Sequence, residues 1–200
     1  MKSRIAMPVL AGAVLFVTGA ASTANATCIP PTAQNRNQYR TVKKRVPLSV
    51  FMAKSSKKTA PAADGLPAAE ASIAGMWFSG SVEDGEVLLN AFELWNSDGT
   101  QILNDQSPIL AGNVCLGAWT KTGPLTYSLK HPSWIYDDRG EQVVGIAWLL
   151  EKIVLDPGGD RYTGDLRVEV TDLEGNVLDT LNFKLAAQRI TADNPSPAGN

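Results

Sequence analysis

The 200-residue chain has one histidine, His131, within TYSLKHPSW at 126–134. Imidazole is the side chain that titrates near neutral pH without help from its surroundings. Beside a carboxylate it can serve as a general base. Glu93, in VLLNAFELW, is a candidate carboxylate partner, and Tyr127 lies on the same strand face as His131. These three could support cofactor-free acid–base chemistry of the isomerase or cyclase type. They could equally anchor the polar end of a bound molecule. Other chemistries find less support. A metal site needs several His, Cys, Asp or Glu at ligand spacing, and one histidine with two distant cysteines does not supply it. The pair Asp137-Asp138 reads as part of a turn. No GxSxG elbow is present. GGDRYTG lacks the lysine and following helix of a phosphate loop. The pattern therefore implies no metal and no cofactor.

The segments that must position these residues read as strands. In LTYSLKH, Leu125, Tyr127, Leu129 and His131 share one face, and Thr126, Ser128 and Lys130 share the other. The polar set must face water, so His131 points inward, near one mouth of the fold, with Pro132 ending the ladder. In VLLNAFELW the parity is open. Either Asn90 with Leu88, Phe92 and Leu94 faces in, or Glu93 with Leu89, Ala91 and Trp95 does. RYTGDLRVEVT alternates cleanly, and DLEGN then turns the chain into VLDTLNFKLAAQR, with Leu181, Phe183, Leu185 and Ala187 on one side. EDGE, NSDGT, KTG, DDRGE and DPGGD mark further reversals. About eight short strands at near-regular spacing predict an all-β, antiparallel, up-and-down barrel over residues 71–190. Closure removes its edges, and eight strands enclose room for side chains or one small ligand. Trp119, Trp148 and Phe183 are candidate cavity-lining residues.

The first strand opens with GMWF, Gly75 to Phe78, and the last ends at Arg189. In this the chain resembles the lipocalin-like (calycin) barrels, including exported bacterial proteins of undefined function. Their Gly-x-Trp motif opens the barrel, and an arginine on the last strand packs over that tryptophan. The resemblance implies that Trp77 and Arg189 close one end as a structural cation–π pair. The all-β pattern, with an interior set of Leu, Phe and Trp and a few polar groups, separately points to a binding site for a small apolar or amphipathic molecule, with His131, Tyr127, Glu93, Trp119, Trp148 and Phe183 as its candidate contacts. The chain departs from lipocalins in showing no helical pattern after the last strand.

Before the barrel, residues 1–26 read as a secretory signal. Lys2 and Arg4 precede an apolar run from Met7 to Gly19, and Ala24-Asn25-Ala26 fits a cleavage site. The apolar run is shorter than the ~20 residues of a membrane span. An exported protein, periplasmic or extracellular, is expected. In that setting Cys28 and Cys115 could form a disulfide, although Cys115 could equally be a small buried residue. Residues 27–70 carry eight Lys and Arg against Asp64 and Glu70, whereas the chain from Ala71 onward carries eight against eighteen acidic residues. The first stretch reads as a basic, largely disordered arm. It either rests in solvent or on its own acidic domain, or tethers the protein to an anionic surface. Nucleic acid is not an expected partner, since no aromatic residues are interleaved with basic ones through the folded part. Residues 191–200 read as a disordered tail.

Overall fold

The computed structural model describes residues 71–107, 113–137 and 141–193. The segments read as signal and arm, and residues 194–200 of the tail, lie outside that range. The described residues contain eight strands and no helix: β1 (Gly75–Glu83), β2 (Glu86–Trp95), β3 (Thr100–Asp105), β4 (Val114–Gly123), β5 (Thr126–Tyr136), β6 (Val143–Leu155), β7 (Arg161–Thr171) and β8 (Val177–Ile190). Each pairs antiparallel with the next, and β8 pairs back onto β1, closing the barrel in simple sequence order. The all-β, eight-stranded, up-and-down barrel expected from the alternation is the fold observed. Between β1 and β2 the two turn residues, Asp84 and Gly85, both have positive φ, 51° and 79°. That is the two-residue hairpin whose twist matches its strands.

Alternation sorts the side chains. On β6, Ala147, Leu149, Glu151, Ile153 and Leu155 are buried, while Lys152 and Val154 between them are exposed. The same rule turns Trp77, Trp95, Leu103, Leu129, Tyr162, Val168 and Phe183 into one interior cluster. Burying a large apolar side chain is worth about 1.5–3 kcal/mol, so this shared interior is the main source of stability. A separate buried cluster, Phe78, Val82, Val87 and Ala186, lies on the outer side of the β8–β1–β2 wall.

Pro132 does not end its strand. β5 stays paired with β6 through Pro132↔Trp148 to Tyr136↔Val143. On its other side, the ladder with β4 stops at Ala118↔Lys130. A proline withholds one donor from one neighbour only, so it breaks one ladder and leaves the other intact.

Candidate functional site

The end of the barrel where β1 begins is filled by aromatic rings. Trp77 packs on Tyr162 at 5.0 Å, Tyr162 on Trp95 at 6.1 Å, Trp95 on Trp119 at 5.8 Å and Trp119 on Tyr127 at 5.6 Å. Trp77 Nε1 donates to the Ile73 carbonyl at 2.8 Å. Trp119 Nε1 donates to the Asn96 and Thr100 carbonyls, both at 3.1 Å. Arg189 lies over the Trp77 ring, 4.1 Å from its centroid. Its guanidinium donates to the carbonyls of Gly159, Ala74 and Ser72 at 2.5, 2.8 and 2.5 Å. One cation thus ties the chain leading into β1 to the loop between β6 and β7, closing this end.

The middle layer is polar. Glu93 points inward with Ala91 and Trp95, while Phe92 and Leu94 are roughly half exposed on the outer face. This resolves the open parity of β2. Glu93 Oε2 accepts hydrogen bonds from Trp95 Nε1 at 2.7 Å and from the Tyr162 hydroxyl at 2.8 Å. Ser79 and Gln101 also lie beside its carboxyl. Burial raises the Glu93 pKa, and the hydrogen bonds oppose that rise. Tyr162 is pushed well above its ordinary value, by burial and then by the two carboxylates.

His131 is fully buried in this interior. It is the sixth of eleven residues in β5, so it sits at mid-barrel and not at a mouth as the proline had suggested. Its carboxylate neighbour is Glu151 of β6, with Nε2 3.8 Å from Oε1. Glu93 serves Trp95 and Tyr162 instead. Among the described residues neither His131 nitrogen has a hydrogen-bond partner, and neither does Glu151 Oε2. Burial lowers the imidazole pKa from 6.5 to about 4. Burial, and then the Glu93 charge, raise that of Glu151 well above the carboxylate range. Burial thus pushes both groups toward their neutral forms, the imidazole by lowering its pKa and the carboxyl by raising it. Gly117 of β4 makes room for the ring: a Cβ there would stand 3.0 Å from His131 Nε2 and 2.8 Å from Leu129 Cδ1.

Several expected site residues fall elsewhere. Tyr127 belongs to the aromatic end, where its hydroxyl reaches the Ala71 carbonyl at 3.5 Å, and Leu129 separates it from His131 along the strand. Trp119 also faces inward but joins the same plug. Trp148 sits on the outer face, with Lys130 Nζ 4.2 Å from its ring centroid. It does not line the interior, because β6 turns Leu149 and Glu151 inward and so Trp148 outward. Phe183 is interior, opposite Leu166. Cys115 is buried on β4 and is disulfide-bonded. Cys28 lies outside the described residues. Glu151 is the residue that sequence reasoning missed. VVGIAWLLEKIVL is apolar on both faces, so only the adjacent Glu151-Lys152 pair carried a signal: one of the two charges had to point in.

Two half-open recesses of about 790 and 680 Å³ lie mostly against the outer face of β5 to β8, with Ser128, Lys152, Asp165 and Lys184 in both walls. Neither is lined by His131 or Glu93. Among the described residues no group of three or more His, Cys, Asp or Glu is placed to hold a metal ion.

Together, fold and interior define a closed antiparallel β-barrel with an aromatic plug at one end and a buried acid–imidazole pair at its middle. No protein-family model, curated protein or solved structure matches the chain.

Proposed function

We propose that the barrel is an exported, lipocalin-like binding module for a small amphipathic molecule, whose polar end is received by His131 and Glu151. One observation carries the reading. Among the described residues a fully buried imidazole has no hydrogen-bond partner at either nitrogen, and the carboxyl beside it leaves its Oε2 without one. An unsatisfied buried polar group costs about 1–3 kcal/mol. A neutral hydroxyl, amide or acid group could satisfy several such atoms at once, while Leu129, Leu149, Leu166 and Phe183 of the same interior suit an apolar body. The amino-terminal pattern supports export, and the basic stretch before the barrel supports contact with an anionic surface.

A second reading is favoured by the opposite pKa shifts of the same pair. A protonated carboxyl beside a neutral imidazole has the two halves of a proton relay. That reading is a cofactor-free isomerase or cyclase with His131 as base and Glu151 as acid.

Binding is tested by tryptophan emission during titration with neutral amphipathic alcohols, amides and long-chain acids. Saturable change that is weakened at least ~10-fold by His131→Ala, in a variant that still melts cooperatively, supports the module. Unaltered emission throughout the series, or equal affinity in the variant, contradicts it. Turnover of a bound compound that is lost in Glu151→Gln would move the assignment to the enzyme.

A further inference from the structure

β3 adds a third polar group to the interior. Its buried positions alternate as Gln101, Leu103 and Asp105, so Gln101 faces inward, where it is 1% exposed. It lies beside the Glu93 carboxyl. Among the described residues, however, neither its Nε2 nor its Oε1 makes a hydrogen bond. A buried amide left unpaired at both ends is costly. Register sets this amide close to the imidazole. Gln101 pairs with Gly117 across the β3–β4 ladder, and a Cβ at Gly117 would stand 3.0 Å from His131 Nε2. Opposed Cβ positions on antiparallel strands are about 4.5–5.5 Å apart. Gln101 and His131 therefore border one side-chain-free spot on β4, and Glu151 Oε1 lies 3.8 Å from the same ring nitrogen.

We propose that Gln101 completes the polar end of the site and selects a ligand that ends in an uncharged primary amide. This rests on the binding reading above and names the ligand class for that site. The inventory of donors and acceptors carries the choice. A side-chain amide shows an acceptor and a donor along one edge. A ligand amide meets that edge with two parallel hydrogen bonds, its N–H donating to Gln101 Oε1 and its carbonyl accepting from Gln101 Nε2. It keeps one N–H for a His131 nitrogen and one lone pair for the Glu151 carboxyl in its neutral form. Four of the five unpartnered atoms of Gln101, His131 and Glu151 are then served. A hydroxyl has one donor and cannot meet both ends of the amide edge with straight bonds. A carboxylate only accepts, so Gln101 Oε1 would stay unpaired, and its charge would enter beside Glu93 and Glu151. An ammonium only donates, so Gln101 Nε2 would stay unpaired. A site built to pair a polar edge rejects analogues that lack the matching groups.

The test follows tryptophan emission of the full chain at neutral pH during titration with two matched sets: octanamide, octan-1-ol and octanoate, and benzamide, benzyl alcohol and benzoate. In at least one set the amide should bind at least ~10-fold tighter than the alcohol and the carboxylate. Gln101→Met keeps the bulk and removes both polar atoms. It should bring amide affinity down to that of the alcohol and leave alcohol affinity within ~3-fold of the parent. If that variant does not melt cooperatively, the parent carries the test: with ¹⁵N-labelled glutamine, one slowly exchanging side-chain NH2 pair should shift with the amide and stay put with the alcohol. Amide and alcohol bound alike, and both weakened by His131→Ala, would leave the binding module standing and overturn the role of Gln101. An amide preference that survives Gln101→Met, or NH2 pairs that ignore the amide, would do the same. Binding of no member of either set would overturn both readings.

Discussion

Replacing His131 by Gln should make the protein relatively more acid-resistant, by an amount the burial of the imidazole sets. In the folded chain its pKa is lowered from 6.5 to about 4 by burial alone. Between those values the unfolded chain binds a proton that the folded chain refuses. The stability held above pH 6.5 is therefore lost as pH falls, and the loss is complete below about pH 4. At about 1.4 kcal/mol per pH unit, the loss reaches roughly 3 kcal/mol near pH 4. Burial, and then the Glu93 charge, raise the pKa of Glu151 in parent and variant alike. Carboxylates common to both proteins cancel when parent and variant are compared. Urea denaturation of both, at about pH 7.5 and about pH 4, gives the double difference. With a slope near 1.5 kcal/mol/M, the gap between the two midpoints should move by about 2 M in favour of the variant at the lower pH. A gap that moves by less than ~0.3 M would mean the imidazole is either solvated or already charged in the fold, and the argument from burial would fail.

Glu93→Leu should cost about 2–5 kcal/mol, since it strips the acceptor from both Trp95 Nε1 and the Tyr162 hydroxyl; Tyr162→Phe should cost about 1 kcal/mol, and equal losses in urea melts would contradict that ranking. Gly117→Ala places a methyl 3.0 Å from His131 Nε2. It should cost about 1–3 kcal/mol, and His131→Ala should relieve part of that cost in the double variant, the contact with Leu129 Cδ1 at 2.8 Å remaining; additive losses would mean the two residues do not touch. Arg189→Lys should lower the melting temperature by about 5 °C or more, because an ammonium cannot serve three carbonyls and the Trp77 face together; an unchanged melt would remove Arg189 from the closure of that end.

The barrel was legible because most of its strands carry charge or small polar residues on one face only. RYTGDLRVEVT and LTYSLKH show their inner and outer sides without reference to anything distant. Where a strand is apolar on both faces the parity vanishes. β6 is such a strand, and it hid Glu151 inside and put Trp148 outside. β2 left Glu93 ambiguous for a related reason, since Phe92 and Leu94 are as apolar as the residues that point in. The partner of His131 was the least legible feature. Strand parity says that two residues face the interior, but register decides which of them meet. Register here places Glu151 beside Leu129 and Leu149 beside His131 in the β5–β6 ladder, a matter of turn length that no single strand reveals.

With one histidine in the chain, a sample labelled with ¹⁵N at histidine reports on one imidazole only. Its two nitrogen shifts, followed against pH and then with the amphipathic series at neutral pH, address the interior pair directly. A neutral ring down to about pH 4, with nitrogen shifts that move on adding a bound compound and move less in Glu151→Gln, is the result expected of a dry imidazole that serves a ligand. A ring that titrates near 6.5 and whose shifts ignore every compound in the series would contradict it.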